Sequence, residues 1–196
     1  MTKFICIGGK AQNGKDTSAG MLKDSLESRG YKVLITHYAD LLKYMCKTFF
    51  GWNGEKDDYG RTLLQKVGTE GVRSQKPDFW VDFVLDVVTL FPNEWDYVII
   101  PDARFPNEID RIKDRGYEMV YIKVRRENFV SPLSEEQQHH PSEIALDGVI
   151  PDITIYNRTL KQLKQDVDSI CPIIISWHKI TEACEQLSLL DELLEE

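Results

Sequence analysis

The stretch Gly9-Lys10-Ala11-Gln12-Asn13-Gly14-Lys15-Asp16-Thr17 carries the most legible chemistry in the chain, with the spacing G-x-x-x-x-G-K. Each position has a physical reason. The glycines let the backbone curl so that successive N–H groups point inward at phosphate oxygens. A helix that follows at once places its positive N-terminal end at the same anion. Lys15 can reach the outer phosphates of a nucleoside triphosphate and offset charge during transfer. Gly9 to Thr17 is therefore the expected ATP- and phosphate-binding set, with Lys15 catalytic. Asp16 stands where Ser or Thr usually follows the lysine, and Thr17 comes one residue later. Mg²⁺ prefers oxygen donors and keeps several waters. Asp16 or Asp102 is expected to hold it, directly or through water.

Other candidates lie further along. Asp102 follows the apolar run Tyr97-Val98-Ile99-Ile100-Pro101. A carboxylate at the end of a core strand faces the crevice where α/β sheets bind ligands; its alternative role is to cap the next turn or helix. Arg104, two residues on, reaches the same region. Asp40 ends the second strand-like segment, where it either orients a substrate or caps the helix that begins at Leu41. Arg61 and Arg73 flank a helical stretch holding Gln65, and guanidinium groups grip phosphate bidentately. Trp80, beside Phe79, either stacks on a base or joins the core. Arg125 and Arg126 sit at the end of the fourth strand, where they can neutralise charge on a transferring phosphoryl group. His139, His140 and Glu143 do not read as a metal site, because adjacent histidines point apart and no third ligand has metal-site spacing.

These residues need a scaffold that brings strand ends together, and the chain supplies alternating strand and helix patterns. Strands are expected at Phe4–Ile7, 32–36, Tyr97–Ile100, 118–124 and Ile153–Tyr156. Helices are expected from Lys15 to Ser28, over Leu41–Phe49, Arg61–Arg73, Trp80–Leu90 and Asn107–Arg115, and from Leu160 to about Ser169. That alternation predicts an α/β fold with a mainly parallel sheet. The helical excursion over about 38–92 exceeds what a crossover needs, so it is expected to form an acceptor-binding region. Residues 127–142 lack periodicity and read as a lid-like loop. The segment 170–196 reads as a C-terminal extension, with a surface helix from Thr181 carrying Leu187, Leu190 and Leu194.

A length of 196 residues suits a single domain with its own core. Lys plus Arg is 24 and Asp plus Glu is 32, a net charge of −8. That balance disfavours a general nucleic-acid surface but permits a local basic pocket for a small anion. The four cysteines, Cys6, Cys46, Cys171 and Cys184, have no C-x-x-C pair and read as buried thiols. No apolar run approaches the ~18 residues that cross a membrane, and the N-terminus runs straight into a strand, so a cytoplasmic protein is expected. The sequence leaves the oligomeric state open, a homodimer included.

Several segments together resemble the phage-type deoxynucleoside monophosphate kinases, within the P-loop nucleoside and nucleotide kinases. The resemblance covers about Lys3 to Val167. It rests on the Gly-Lys-Asp-Thr of the phosphate loop, Tyr38-Ala39-Asp40-Leu41-Leu42-Lys43, and Leu64-Gln65-Lys66-Val67-Gly68-Thr69-Glu70 with Arg73. Phe79-Trp80, Pro101-Asp102-Ala103-Arg104-Phe105-Pro106-Asn107-Glu108, Ser142-Glu143, and Asp152 with Asn157 complete it. Leu41 departs from the family's proline. The resemblance implies a five-stranded parallel sheet in the order 2-3-1-4-5, a helical acceptor region and a short lid. It implies transfer of the ATP γ-phosphate to a deoxynucleoside monophosphate. It places Asp40, Arg61, Arg73, Asp102 and Arg104 on the acceptor side and Arg125 and Arg126 on the lid side, with Glu143 orienting an arginine or the acceptor; Lys43, Gln65 and Trp80 are expected on the acceptor side with them. The alternatives are a P-loop kinase of another small metabolite, of the dephospho-coenzyme A or phosphomevalonate type, and a nucleotide-binding protein without turnover. In each case the partners are small molecules, not nucleic acid or membrane.

Overall fold

A computed structural model describes residues 1–55 and 57–194, with side chains described through Thr181. Five strands form one sheet: β1 (Lys3–Gly8), β2 (Val33–Ile35), β3 (Tyr97–Ile100), β4 (Met119–Arg126) and β5 (Ile153–Asn157). Their order is β2-β3-β1-β4-β5, and every neighbouring pair is parallel. This is the order implied by the resemblance. β1 lies centrally, with Ile5 level with Ile99 on one side and Val120 on the other.

The period of two along β1 divides the core. Ile5 and Ile7 face a layer that includes Ala19, Leu22 and Leu26 of α1 (Lys15–Glu27) and Leu163, Val167 and Ile174 of α8 (Leu160–Leu194). Phe4 and Cys6 face the opposite layer, built from Val84, Leu85 and Val88 of α4 (Phe79–Leu90) and Ile109 and Ile112 of α5 (Pro106–Asp114). A strand covered on both faces must be apolar throughout, which is why this sheet reads as short continuous hydrophobic runs.

Between β2 and β3 the chain forms α2 (Ala39–Phe50), α3 (Asp58–Gln65), a π-helical segment (Lys66–Arg73) and α4. The sequence pattern predicts one regular helix over Arg61–Arg73; the structure widens it from Lys66 onward. Gly68 and Gly71 weaken the α-helix locally, and the Trp80 indole N–H donates to the Gly68 carbonyl at 3.2 Å. Gly68 also lets this segment approach α2, since a Cβ there would lie 2.6 Å from Leu42.

Two one-turn helices, α6 (Glu135–Gln138) and α7 (Pro141–Ile144), lie within and beside the segment expected to be irregular. The side chains of Ser134 and His140 accept amide hydrogen bonds at their N-termini. The last helix also differs from expectation. It runs past Ser169 and through Pro172 to Leu194. An interior proline costs about 3 kcal/mol or more. Burial of Cys171, Ile174 and His178, the last against the Tyr97 ring, offsets that cost. The side chains of Cys184, Leu187, Leu190 and Leu194 lie outside the described residues. Among the described residues, no helix is long and apolar enough to cross a membrane.

Candidate active site

The phosphate loop leaves β1 and enters α1 at Lys15. Gly9 and Gly14 have φ of 144° and 97°, and a Cβ would lie 2.4 Å from the Val124 carbonyl oxygen at Gly9 and 2.5 Å from the Asn157 amide nitrogen at Gly14. Both positions therefore demand glycine for backbone and for space. Gln12 also has a positive φ. Asn13 and Asn157 brace the loop from behind: Asn13 Nδ2 donates to the Val124 carbonyl at 3.1 Å and Asn157 Nδ2 to the Asn13 carbonyl at 3.0 Å. The Lys15 ammonium turns back over the loop and donates to the carbonyls of Gly9 and Lys10 at 2.8 and 2.9 Å. Lys15 is only 6% exposed. Burial, reinforced by the nearby Arg104 charge, pulls its pKa down to about 7. An anion arriving beside it would restore the charged form.

Asp16 projects from the first turn of α1 and its carboxylate meets His37 Nε2 at 2.9 Å. His37 Nδ1 lies 3.3 Å from Asp40, whose other oxygen accepts from Lys43 at 2.8 Å. Asp16, His37, Asp40 and Lys43 thus form one polar chain from the first turn of α1 to α2, with the two carboxylates exposed and His37 and Lys43 partly buried. The pair Asp40–Lys43 does not line the acceptor-side cavity described next. Asp40 Oδ2 also accepts the His37 amide, while the amides at the start of α2 are capped from elsewhere. Asp102 supplies that cap: its two oxygens accept the N–H groups of Tyr38 and Ala39, each at 3.0 Å.

A cavity of about 210 Å³ opens between α2, the π-helical segment, α4 and the loop after β3. Gln65, Arg73, Trp80, Asp102 and Arg104 line it, as do Thr69 and Ser142; Arg61 does not. Trp80 is buried and spends its N–H on Gly68, so it forms a wall of the cavity and part of the core at once. The run from Asp102 to Glu108 is a scaffold for two arginines. Glu108, 2% exposed, accepts the amides of Arg104 and Phe105 at 2.6 and 3.0 Å and pairs with the Arg73 guanidinium. Burial pushes its carboxyl up, and Arg73 with the two amides holds it back. Arg73 also lies 4.0 Å from the Phe105 ring centre and donates to Asn107 Oδ1 at 3.2 Å. Pro106 opens α5 at a position where its missing N–H costs nothing.

Arg104 is fixed by Glu143. Its Nη1 donates to Glu143 Oε1 at 2.5 Å, while Glu143 Oε2 accepts the Ala11 amide of the phosphate loop at 2.9 Å. Lys10 clamps the same region, donating to the Glu143 carbonyl at 2.7 Å and to Asp147 at 2.6 Å. A second cavity, about 380 Å³, includes Gly9, Lys10, Arg125 and Arg126 in its lining and shares Arg104 and Ser142 with the first. On the far side of the loop a cleft of about 390 Å³ is lined by Gln12, Gly14, Lys15, Asp16, Thr17, Arg126, Asn157 and Arg158. Arg126 spans the two, donating to the Gln12 carbonyl at 3.2 Å and stacking over Phe129.

Sequence reasoning did not single out His37, Thr69 or Arg158. Thr69 lies inside a stretch already under notice and His37 directly before one, but nothing in their types marks a role before the neighbours are placed. His140 bonds to Ser142 and His139 to the Glu135 carbonyl, and no metal-binding cluster of His, Cys, Asp and Glu occurs among the described residues.

Comparison with known proteins gives a consistent result. A family model described as deoxynucleotide monophosphate kinase matches residues 37–167. A protein of Acanthamoeba polyphaga mimivirus, provisionally named deoxynucleotide monophosphate kinase, is 28% identical over 191 residues, covering 83% of this chain and 92% of its own. Among solved structures, a gluconokinase from Sinorhizobium meliloti 1021 aligns with a TM-score of 0.50 at 13% identity, over 91% of this chain and 97% of its own. A shikimate kinase from Acinetobacter baumannii in complex with shikimate aligns with a TM-score of 0.50 at 14% identity, over 90% and 94%. At such identities the structural likeness speaks for the fold.

Proposed function

Because the chain belongs to the deoxynucleotide monophosphate kinase family and is a phosphotransferase, we propose that it transfers the γ-phosphoryl group of ATP to a deoxynucleoside monophosphate, giving the diphosphate. The single observation that carries the reading is the Glu143 bridge. One carboxylate touches the phosphate loop at Ala11 and the arginine at the wall of the acceptor cavity, so donor and acceptor sites meet across one side chain.

In this reading the loop amides and Lys15 hold the outer phosphates of ATP. The acceptor phosphate enters between Arg104 and Arg73. Its oxygen is already anionic, so attack on the γ-phosphorus needs no strong base, and rate comes from alignment and charge neutralisation. Lys15, Arg104 and the exposed pair Arg125 and Arg126 supply the positive charge. Asp16 suits Mg²⁺: it is an oxygen donor at the first turn of α1, with the Thr17 hydroxyl next in sequence, and Mg²⁺ commonly takes one or two carboxylates plus substrate phosphates. Asp102 already accepts two amides, which favours Asp16 over it. When bound, the metal would screen charge on the transferring phosphates. The region 38–92 serves as the acceptor-binding part, 127–142 as a lid tied to the loop through Arg126, and 170–196 as an extension of one domain.

The test is ADP release measured with ATP and Mg²⁺, with and without each common deoxynucleoside monophosphate. Release that depends on a deoxynucleoside monophosphate supports the reading. Release that responds only to dephospho-coenzyme A or phosphomevalonate would move the protein to another kinase class.

A further inference from the structure

One wall of the acceptor cavity differs from the rest. Most polar groups around it are committed: Asp102 to two amides, Glu108 to Arg73, Arg104 to Glu143, and the Trp80 indole to Gly68. The Gln65 carboxamide and the Thr69 hydroxyl are not. Both residues line the cavity and are partly buried, Gln65 forms no side-chain cap, and neither side chain enters a hydrogen bond among the described residues. Their spacing explains their placement. Residues four apart share a face of a helix, so Gln65, the last residue of α3, stands in line with Thr69 and Arg73, and all three reach the cavity. The π-helical winding from Lys66 adds Gly68. Closure from i to i+5 lengthens each turn by about one residue, which brings Gly68 and Arg73 toward one face, whereas in a regular α-helix they would stand about 140° apart around the axis.

We infer that Gln65 and Thr69 read the hydrogen-bonding edge of the acceptor's base and so determine which deoxynucleoside monophosphate is used. The inference rests on the cavity being the acceptor site. Leu42, Leu64 and Trp80 provide apolar walls against which a flat heterocycle buries its faces. The edge of that heterocycle then needs donors and acceptors, since a polar edge buried without partners is costly. A carboxamide offers an acceptor oxygen and two N–H donors. Rotation about its last torsion exchanges them, so Gln65 can serve bases whose edges differ in pattern, and the Thr69 hydroxyl adapts in the same way.

The substitution Gln65→Glu removes that freedom, because an ionised carboxylate only accepts. Guanine presents two adjacent donors on its pairing edge, whereas thymine presents one N–H between two carbonyls. Steady-state kinetics with dGMP, dTMP, dAMP and dCMP should show the kcat/KM ratio of dGMP to dTMP rising by about tenfold or more in Gln65→Glu, the scale of one good paired contact. The change should be carried by KM. Thr69→Val should alter the base ranking by a smaller factor, and it carries the test if Gln65→Glu does not fold. An unchanged ranking in these variants, with ADP release still dependent on the acceptor, overturns the inference and leaves the kinase reading in place. Failure of the unsubstituted chain to use any of the four overturns both.

Discussion

The two sides of the crevice are built in different ways. The donor side is one contiguous turn, Gly9 to Thr17, whose carbonyls hold the Lys15 ammonium and whose backbone is braced from behind by Asn157, Glu143 and Arg126. The acceptor side is assembled from α2, the π-helical segment, α4, the loop after β3 and α7, held together by the buried pair Arg73–Glu108 and the Asp102 cap. A contiguous turn whose course is set by glycine backbone at Gly9 and Gly14 can lose the Lys15 side chain and keep its shape. A wall made of distant segments depends on the polar groups that join them. Donor substitutions should therefore cost rate, and acceptor-scaffold substitutions should cost stability first.

Arg73→Ala should give the largest effect. It leaves Glu108 buried without its cation, and breaking a buried pair in this way costs about 3–5 kcal/mol. Urea unfolding should show that loss; an unchanged midpoint would mean the two sides are equally self-supporting. Lys15→Ala should lower kcat by at least ~100-fold while leaving the unfolding midpoint unchanged or raised, because it removes a cation whose burial already opposes its charge. Near-normal turnover would remove Lys15 from the centre of the chemistry. Glu143→Gln weakens the bridge between the two sides and should reduce kcat/KM about tenfold, with ATP and acceptor no longer helping each other to bind. Equal binding synergy in the variant would show that the sides communicate by another route.

The smallest effect concerns pH. With its pKa drawn down to about 7, Lys15 of the free protein loses its proton as pH rises through neutrality, whereas the phosphate-bound form keeps it. ATP binding should then take up a proton above pH about 7, and affinity should fall by at most about tenfold per pH unit there. Titration calorimetry in buffers of different ionisation heat measures the uptake, and Lys15→Ala should abolish it.

This contrast also sets what the sequence reveals. The phosphate loop is local, so residue types at fixed spacing disclose it. The strands are legible because burial on both faces enforces apolar runs such as Phe4–Ile7 and Tyr97–Ile100. The acceptor side is legible only in pieces. Arg73, Gln65 and Asp102 draw notice, but no local pattern shows that Asp102 caps α2 across sixty-odd residues of chain, or that Arg61 stands apart from the cavity. The π-helical winding stays hidden for the same reason: it depends on Trp80 and Leu42 meeting Gly68. Pro172 misleads in the opposite direction, since local propensity ends a helix that tertiary packing carries on.

The most direct test follows the phosphate itself. ATP labelled at its γ-phosphorus is incubated with Mg²⁺ and a deoxynucleoside monophosphate, and the products are separated. The label should appear at the β-position of the deoxynucleoside diphosphate, and Lys15→Ala should reduce it at least ~100-fold. Label recovered only as inorganic phosphate, or transferred equally well by Lys15→Ala, would contradict the account.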